Sequence, residues 1–185
     1  MSHPAVLDKN QTALVVVDMQ EAFRKAIPAF AEIASRITQM IRGCQILGVP
    51  IIVTEQYPKG LGKTAEEILF SLPDDFEFIE KTAFSSCGAL AFTEKLEAAR
   101  AKQILVCGID THICVNQTAH DLLAGSYQVH VLTDCVGSRF EHDKQAAIQK
   151  LTLNGAFPSG VEMALFELLR DSKHEQFKEI QYLIK

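Results

Sequence analysis

"QILVCGIDTHICVNQTAHDLLAGSYQVHVLTD", residues 103–134, sets a helical stretch between two apolar runs. The runs "QILVCGI" (103–109) and "YQVHVLTD" (127–134) are short and rich in β-branched residues. They stay apolar at consecutive positions, as strands covered on both faces do. Residues 112–124 begin a helix straight after the first run. Strand, helix and strand in this order form a βαβ unit, which predicts a parallel sheet.

The same alternation continues outward in both directions. "TALVVVD" (12–18), "VPIIVTE" (49–55) and "FEFIEK" (76–81) read as earlier strands. "GAFPSGV" (155–161) is a weaker sixth, where Pro158 fits only an edge strand or a bulge. Between strands, residues 30–48 carry Phe30, Ile33, Ile37, Met40, Ile41 and Cys44 on one helical stripe, stopped by Gly48 and Pro50. Residues 88–100 and 141–153 also read as helices. The tail "FKEIQYLIK" places Phe177, Ile180 and Ile184 on one face, predicting contact with the body or with a second subunit. Right-handed crossovers bring every strand's carboxyl end to one edge of such a sheet, where ligands bind.

Composition bounds the function. The chain has 185 residues, 48% hydrophobic and 22% charged, which suits a single domain spanning 1–185. Its formal charge is −5 and it has no Lys/Arg block, so nucleic acid and anionic membranes are not the expected partners. The start "MSHPAVLDKNQ" lacks the basic and apolar regions of a secretion signal. No apolar run approaches the ~20 residues of a membrane span. Five scattered cysteines without a C-x-x-C predict a reduced, cytoplasmic protein.

The strand ends collect reactive residues: Asp18, Glu55, Lys81, Asp110 with Cys114, and Asp134 with Cys135. Taken singly, Asp18 reads as a turn residue, Lys81 as a solvated surface residue and Cys114 as a packed small hydrophobe. Together on one rim they read as a reactive site. A thiol beside a helix N-terminus and an ammonium is expected to be acidified. From a reference near 8.5, a drop of ~2 units would make thiolate the major form at pH 7. Cys87 and Cys135 are the rivals, while Cys44 and Cys107 read as core. "PKGLGKT" ends like a phosphate loop, but that motif needs glycine where Tyr57 stands. No histidine lies between His3 and His112, so the first three strand ends offer no imidazole to a metal.

"ALVVVDMQEAF", "EKTAFSS" and "VCGIDTHICVNQTAHDLLAGSYQVHVLTD" resemble the isochorismatase-like hydrolase family, and "VTEQYPKGLGKT" and "HEQFKEIQYLIK" are similar to its isochorismatase domain-containing subgroup. The resemblance implies a three-layer α/β/α sandwich around a six-stranded parallel sheet of order 3-2-1-4-5-6. It implies an Asp18, Lys81 and Cys114 triad, with a cis peptide joining Ile109 to Asp110. The N–H groups of Asp110 and Cys114 would then form an oxyanion hole. "TEQYPKGLG" lacks the Asp and His metal ligands of family nicotinamidases, and Cys114 is the nucleophile that true isochorismatases typically lack. The implied activity is a metal-free, cofactor-free, cysteine-dependent hydrolysis of an amide or related C–N bond in a small molecule, through a thioester. Phe23, Glu55, Gln56, Tyr57, Phe84 and His112 are the expected pocket residues, and a homo-oligomer is the expected assembly. The alternatives are a non-catalytic binding or assembly module on this fold, or a redox-sensing thiol protein.

Overall fold

Alternate residues of β1 (Thr12–Val17) feed two separate apolar layers. Leu14 and Val16 face one side of the sheet; Ala13, Val15 and Val17 face the other. All six are buried, as a central parallel strand requires. In the computed structural model, which describes residue 3 and residues 5–185, the sheet has six parallel strands in the order β3-β2-β1-β4-β5-β6. These are β1, β2 (Ile51–Gln56), β3 (Ile79–Lys81), β4 (Gln103–Ile109), β5 (Gln128–Gly137) and β6 (Phe157–Ser159).

Eight helices accompany the strands among the described residues: α1 (Phe30–Leu47), α2 (Pro58–Leu61), α3 (Glu66–Leu69), α4 (Leu90–Ala99), α5 (Asn116–Ala124), α6 (Glu141–Leu153), α7 (Val161–Leu169) and α8 (Phe177–Leu183). α1, α3, α7 and α8 supply the core on one face; α4, α5 and α6 supply it on the other. The expected three-layer order is therefore present. α1 follows its predicted stripe, and Gly48 closes it in the left-handed conformation (φ 71°) that glycine adopts without penalty.

Several boundaries differ from expectation. β3 keeps only three residues, because Phe76 and Phe78 turn inward and pack edge to face at 5.2 Å instead of extending the ladder. β5 runs on to Gly137, so Asp134 and Cys135 lie inside it rather than at its end. The Asp134 carboxylate accepts from the backbone N–H of Val161 and caps α7. α7 itself was not foreseen: Val161, Ala164, Leu165 and Leu168 bury one helical face where the sequence suggested only the end of a strand. Of the tail's predicted face, Ile180 is fully buried by the body, while Phe177 and Ile184 pack partly buried on the α1 side. Among the described residues, no helix is long and apolar enough to cross a membrane.

Gly108 sets how closely β4 approaches β1 just beneath the strand ends. It has φ +112°, and a Cβ there would stand 2.0 Å from the carbonyl oxygen of Val17. Gly108→Ala therefore meets both a disfavoured φ and a backbone collision, at an expected cost on the order of 3 kcal/mol or more. Calorimetry is expected to show Tm lowered by roughly 6–12 °C. Gly48→Ala, with nothing within 4 Å of its Cβ, is the control and should lose clearly less.

Candidate active site

β1 and β4 are neighbours at the point where strand order reverses, so the residues that follow them meet. Asp18 follows β1 directly with φ 50°, a conformation aspartate tolerates better than most residues. That turn directs its side chain into the protein, where it is 1% exposed. Both oxygens are bound: Thr54 Oγ1 donates to Oδ1 at 2.7 Å, and Lys81 Nζ donates to Oδ2 at 2.6 Å.

Lys81 ends β3, two strands away, and reaches across β2 to do this. Its ammonium also donates to Gln56 Oε1 at 2.6 Å, to the Phe84 carbonyl at 3.0 Å and to the Ala83 carbonyl at 3.2 Å. Three N–H groups facing four acceptors leave this cation fully satisfied without water. Gln56 is held in turn: its amide donates to the Thr82 carbonyl, and its backbone N–H donates to Gln20 Oε1 at 2.8 Å. Gln20, completely buried, also donates to the carbonyls of Gln56 and Gly62.

Cys114 lies in a π-helical turn, Thr111–Val115, between β4 and α5. The peptide Ile109–Asp110 is cis, as expected. The Asp110 carbonyl accepts from the N–H groups of Ile113 and Val115, which winds the turn back on itself and brings Cys114 beside Asp18 in one pocket. The thiol is not acidified. Burial, then the negative charge of Asp18, push its pKa up to about 12, against an opposing pull from Lys81. The sequence correctly foresaw the ammonium and the helix start. It gave Lys81 two tasks, holding the thiolate and orienting Asp18; the structure pairs it with Asp18, and at the sulfur the carboxylate outweighs the ammonium.

The pocket holding Asp18 and Cys114 has a volume of about 300 Å³ and a largely apolar lining that includes Phe23, Leu61, Phe84 and Ile113. Of the expected pocket residues, Phe23, Gln56 and Phe84 line it. Glu55 does not: its Oε1 accepts from the N–H and the hydroxyl of Thr64, both at 2.7 Å, and so fastens the loop after β2. Tyr57 turns away at φ 37° and lines a neighbouring cleft of about 390 Å³ with Lys59, Glu80 and Thr82. His112 faces outward, its Nδ1 3.0 Å from Ser138 Oγ and its Nε2 3.9 Å from Asp143. Arg139, Thr54 and Gln20 belong to the site or its supports and were missed. Arg139 lies five residues beyond the predicted end of its strand, and no local pattern marked Thr54 or Gln20 as special. Among the described residues, no group of three or more His, Cys, Asp or Glu side chains is arranged to hold a metal ion.

Residues 12–163 match the Isochorismatase domain family. The chain is 39% identical to isochorismatase domain-containing protein 2 of Xenopus laevis over 178 residues, covering 96% of this chain and 85% of the relative. A structure described as the MAR1 ribonuclease of Caenorhabditis elegans superposes with a TM-score of 0.92 at 36% identity, covering 97% of this chain and 92% of that one. The Escherichia coli YcaC protein, described as an octameric hydrolase of unknown specificity, superposes with a TM-score of 0.85 at 20% identity; all of this chain and 97% of that one are covered. A domain match across most of the chain, together with relatives near 40% identity, places this protein in the isochorismatase-like hydrolase family.

Proposed function

We propose that this protein hydrolyses an amide or related C–N bond of a small molecule, with Cys114 as nucleophile, through a thioester. The observation that carries this reading is the arrangement at one pocket: a thiol kept protonated, beside a buried carboxylate that Thr54 and Lys81 hold in place. A thiol with its pKa near 12 needs a proton acceptor at the moment of attack, and Asp18 is the adjacent group able to serve.

In this mechanism Cys114 Sγ attacks the carbonyl carbon as its proton passes to Asp18. The backbone N–H groups of Asp110 and Cys114 receive the oxyanion. Asp18 returns the proton to the leaving nitrogen, which departs as the amine or ammonia. A water then attacks the thioester with Asp18 as base, releasing the acid and restoring the thiol. Lys81 keeps Asp18 oriented and balances its charge. The loop donors and acceptors around Gln56, Gln20 and Glu55 hold the pocket wall. No step calls on a metal or cofactor.

We further propose a cytoplasmic homo-oligomer. The octameric description of the E. coli fold relative favours the assembly, and reduced, unpaired cysteines favour the compartment. Among relatives, the C. elegans protein is described as a ribonuclease. The net charge of −5 and the small apolar pocket favour a small neutral substrate over RNA for this chain.

Two outcomes test the reading. In a screen of small primary amides for ammonia release, the wild type should turn over at least one. Cys114→Ala should abolish that turnover, and Asp18→Asn should lower it by ~10²–10⁴. Persistent turnover in Cys114→Ala, or RNA cleavage in place of amide cleavage, would overturn the assignment. The second outcome concerns pH. Because the thiol ionises only near 12, alkylation of Cys114 should climb about tenfold per pH unit from pH 7 to pH 10 without a plateau. Asp18→Asn removes the negative charge that opposes ionisation, so mass mapping should show the curve displaced to lower pH. A plateau below pH 8 in the wild type would contradict the charge arrangement.

A further inference from the structure

Residues 21–26 supply one wall of the pocket that holds Cys114, through Phe23 and Ala26. The residues at either end of this stretch, Gln20 and Ile27, are completely buried, but the stretch itself is exposed or half-buried throughout. Among the described residues, its backbone is joined to another segment at one point, where the Glu21 N–H donates to the Lys63 carbonyl at 3.1 Å. Arg24 makes the other tie. Its Nη2 donates to both carboxylate oxygens of Glu67, at 2.9 and 2.7 Å, and to Glu21 Oε2 at 2.9 Å, while its Nε donates to Glu21 Oε1. The guanidinium carbon also stands 4.6 Å from the centroid of the Phe30 ring, at the start of α1. Glu67 is a firm anchor. It lies on α3, where the neighbouring Ile68 is completely buried and Thr38 of α1 donates to the Glu67 carbonyl at 3.1 Å. One cation thus fastens the wall to two helices. Isolated surface ion pairs contribute little, but one planar guanidinium gripping two carboxylates holds a defined geometry.

We propose that Arg24 is a positioning residue of this site: its clamp fixes Phe23 against the pocket and so confines the substrate to a compact body. Core packing does not fix that ring by itself, because Phe23 is only partly buried. Without the cation, Glu21 and Glu67 repel each other, and the stretch is held at its two ends and at the Glu21 N–H. A loosened wall admits wider bodies to Cys114 and leaves the reacting groups as they are, since no bond of Arg24 reaches Asp18, Lys81 or Cys114. This inference rests on the reading above of the pocket as the substrate site. It adds to that reading the residue that sets substrate width.

The experiment measures alkylation of Cys114 in the full chain at pH 8.5 by 2-chloroacetamide and by N-benzhydryl-2-chloroacetamide, which adds two phenyl rings. Each rate is divided by that of the same probe with glutathione, which removes intrinsic reactivity. In the wild type the narrow probe should be favoured by about tenfold or more. Arg24→Met keeps an apolar stem over Phe30 but removes the clamp. The preference should then fall by about fivefold, with the rate of the narrow probe changed by less than about twofold. Arg24→Lys keeps the charge without the planar fork and should retain part of the preference. Glu67→Gln, which keeps the side-chain shape, is a second route to the same loss; combined with Arg24→Met it should add little, because both break one contact. Phe23→Ala removes the wall itself, so adding Arg24→Met to it should change nothing further. A preference left intact in folded Arg24→Met, or rates that rise equally for both probes, would overturn the proposal. So would additive effects of Arg24→Met and Phe23→Ala. Alkylation needs no turnover, so the two readings fail separately. Absence of amide hydrolysis would end the hydrolase assignment and leave the clamp standing, whereas an unchanged preference would end the clamp alone.

Discussion

The ion pair between Asp18 and Lys81 is the constraint around which the carboxyl edge of the sheet is organised. Both side chains are almost fully enclosed, at 2% and 1% exposure, and their nitrogen and oxygen stand 2.6 Å apart. Removing two charges from water costs several kcal/mol each, and their mutual attraction offsets this only when the remaining lone pairs and protons are bonded as well. Here they are. Thr54 takes the second carboxylate oxygen, while Gln56 and two backbone carbonyls take the rest of the ammonium. Loss of either partner would leave the other charged and stranded, which commonly costs 3–5 kcal/mol. The loop after β3 has to pass close enough for its carbonyls to reach Nζ, and β2 has to present Thr54 and Gln56 on the proper side.

That neutral pair also explains the state of the thiol. Lys81 by itself pulls the pKa of Cys114 down. With Lys81 matched to Asp18, burial and the carboxylate dominate, and the thiol stays protonated. A resting thiol is far less prone to oxidation than a thiolate, which weighs against the redox-sensor alternative. In the proposed mechanism the nucleophile forms only as the substrate arrives and Asp18 takes the proton. Reactivity is thereby coupled to occupancy.

Much of this was legible in the chain itself, because the relevant signals are local. Consecutive β-branched runs separated by helical stripes required a parallel sheet with two covered faces, and Pro158 fell on the edge strand as its missing N–H demands. The resemblance in "GIDTHICV" supplied the cis peptide, and strand-end positions brought Asp18, Lys81 and Cys114 to one rim. Other features depended on which side chains fold against each other. Glu55 and Tyr57 flank Gln56 at the end of β2, but only the loop's return to Thr64 decided that Glu55 would fasten backbone while Gln56 held the lysine. α7 emerged only once its face had a core to cover, and Arg139 reached the pocket because β5 continued three residues beyond its pattern. The ionisation of Cys114 was the least local property of all. The sequence determined that a cation, an anion and a thiol would share one edge of the sheet. Tertiary structure alone decided which two would pair, because Coulomb energy depends on distances and burial that no linear spacing contains.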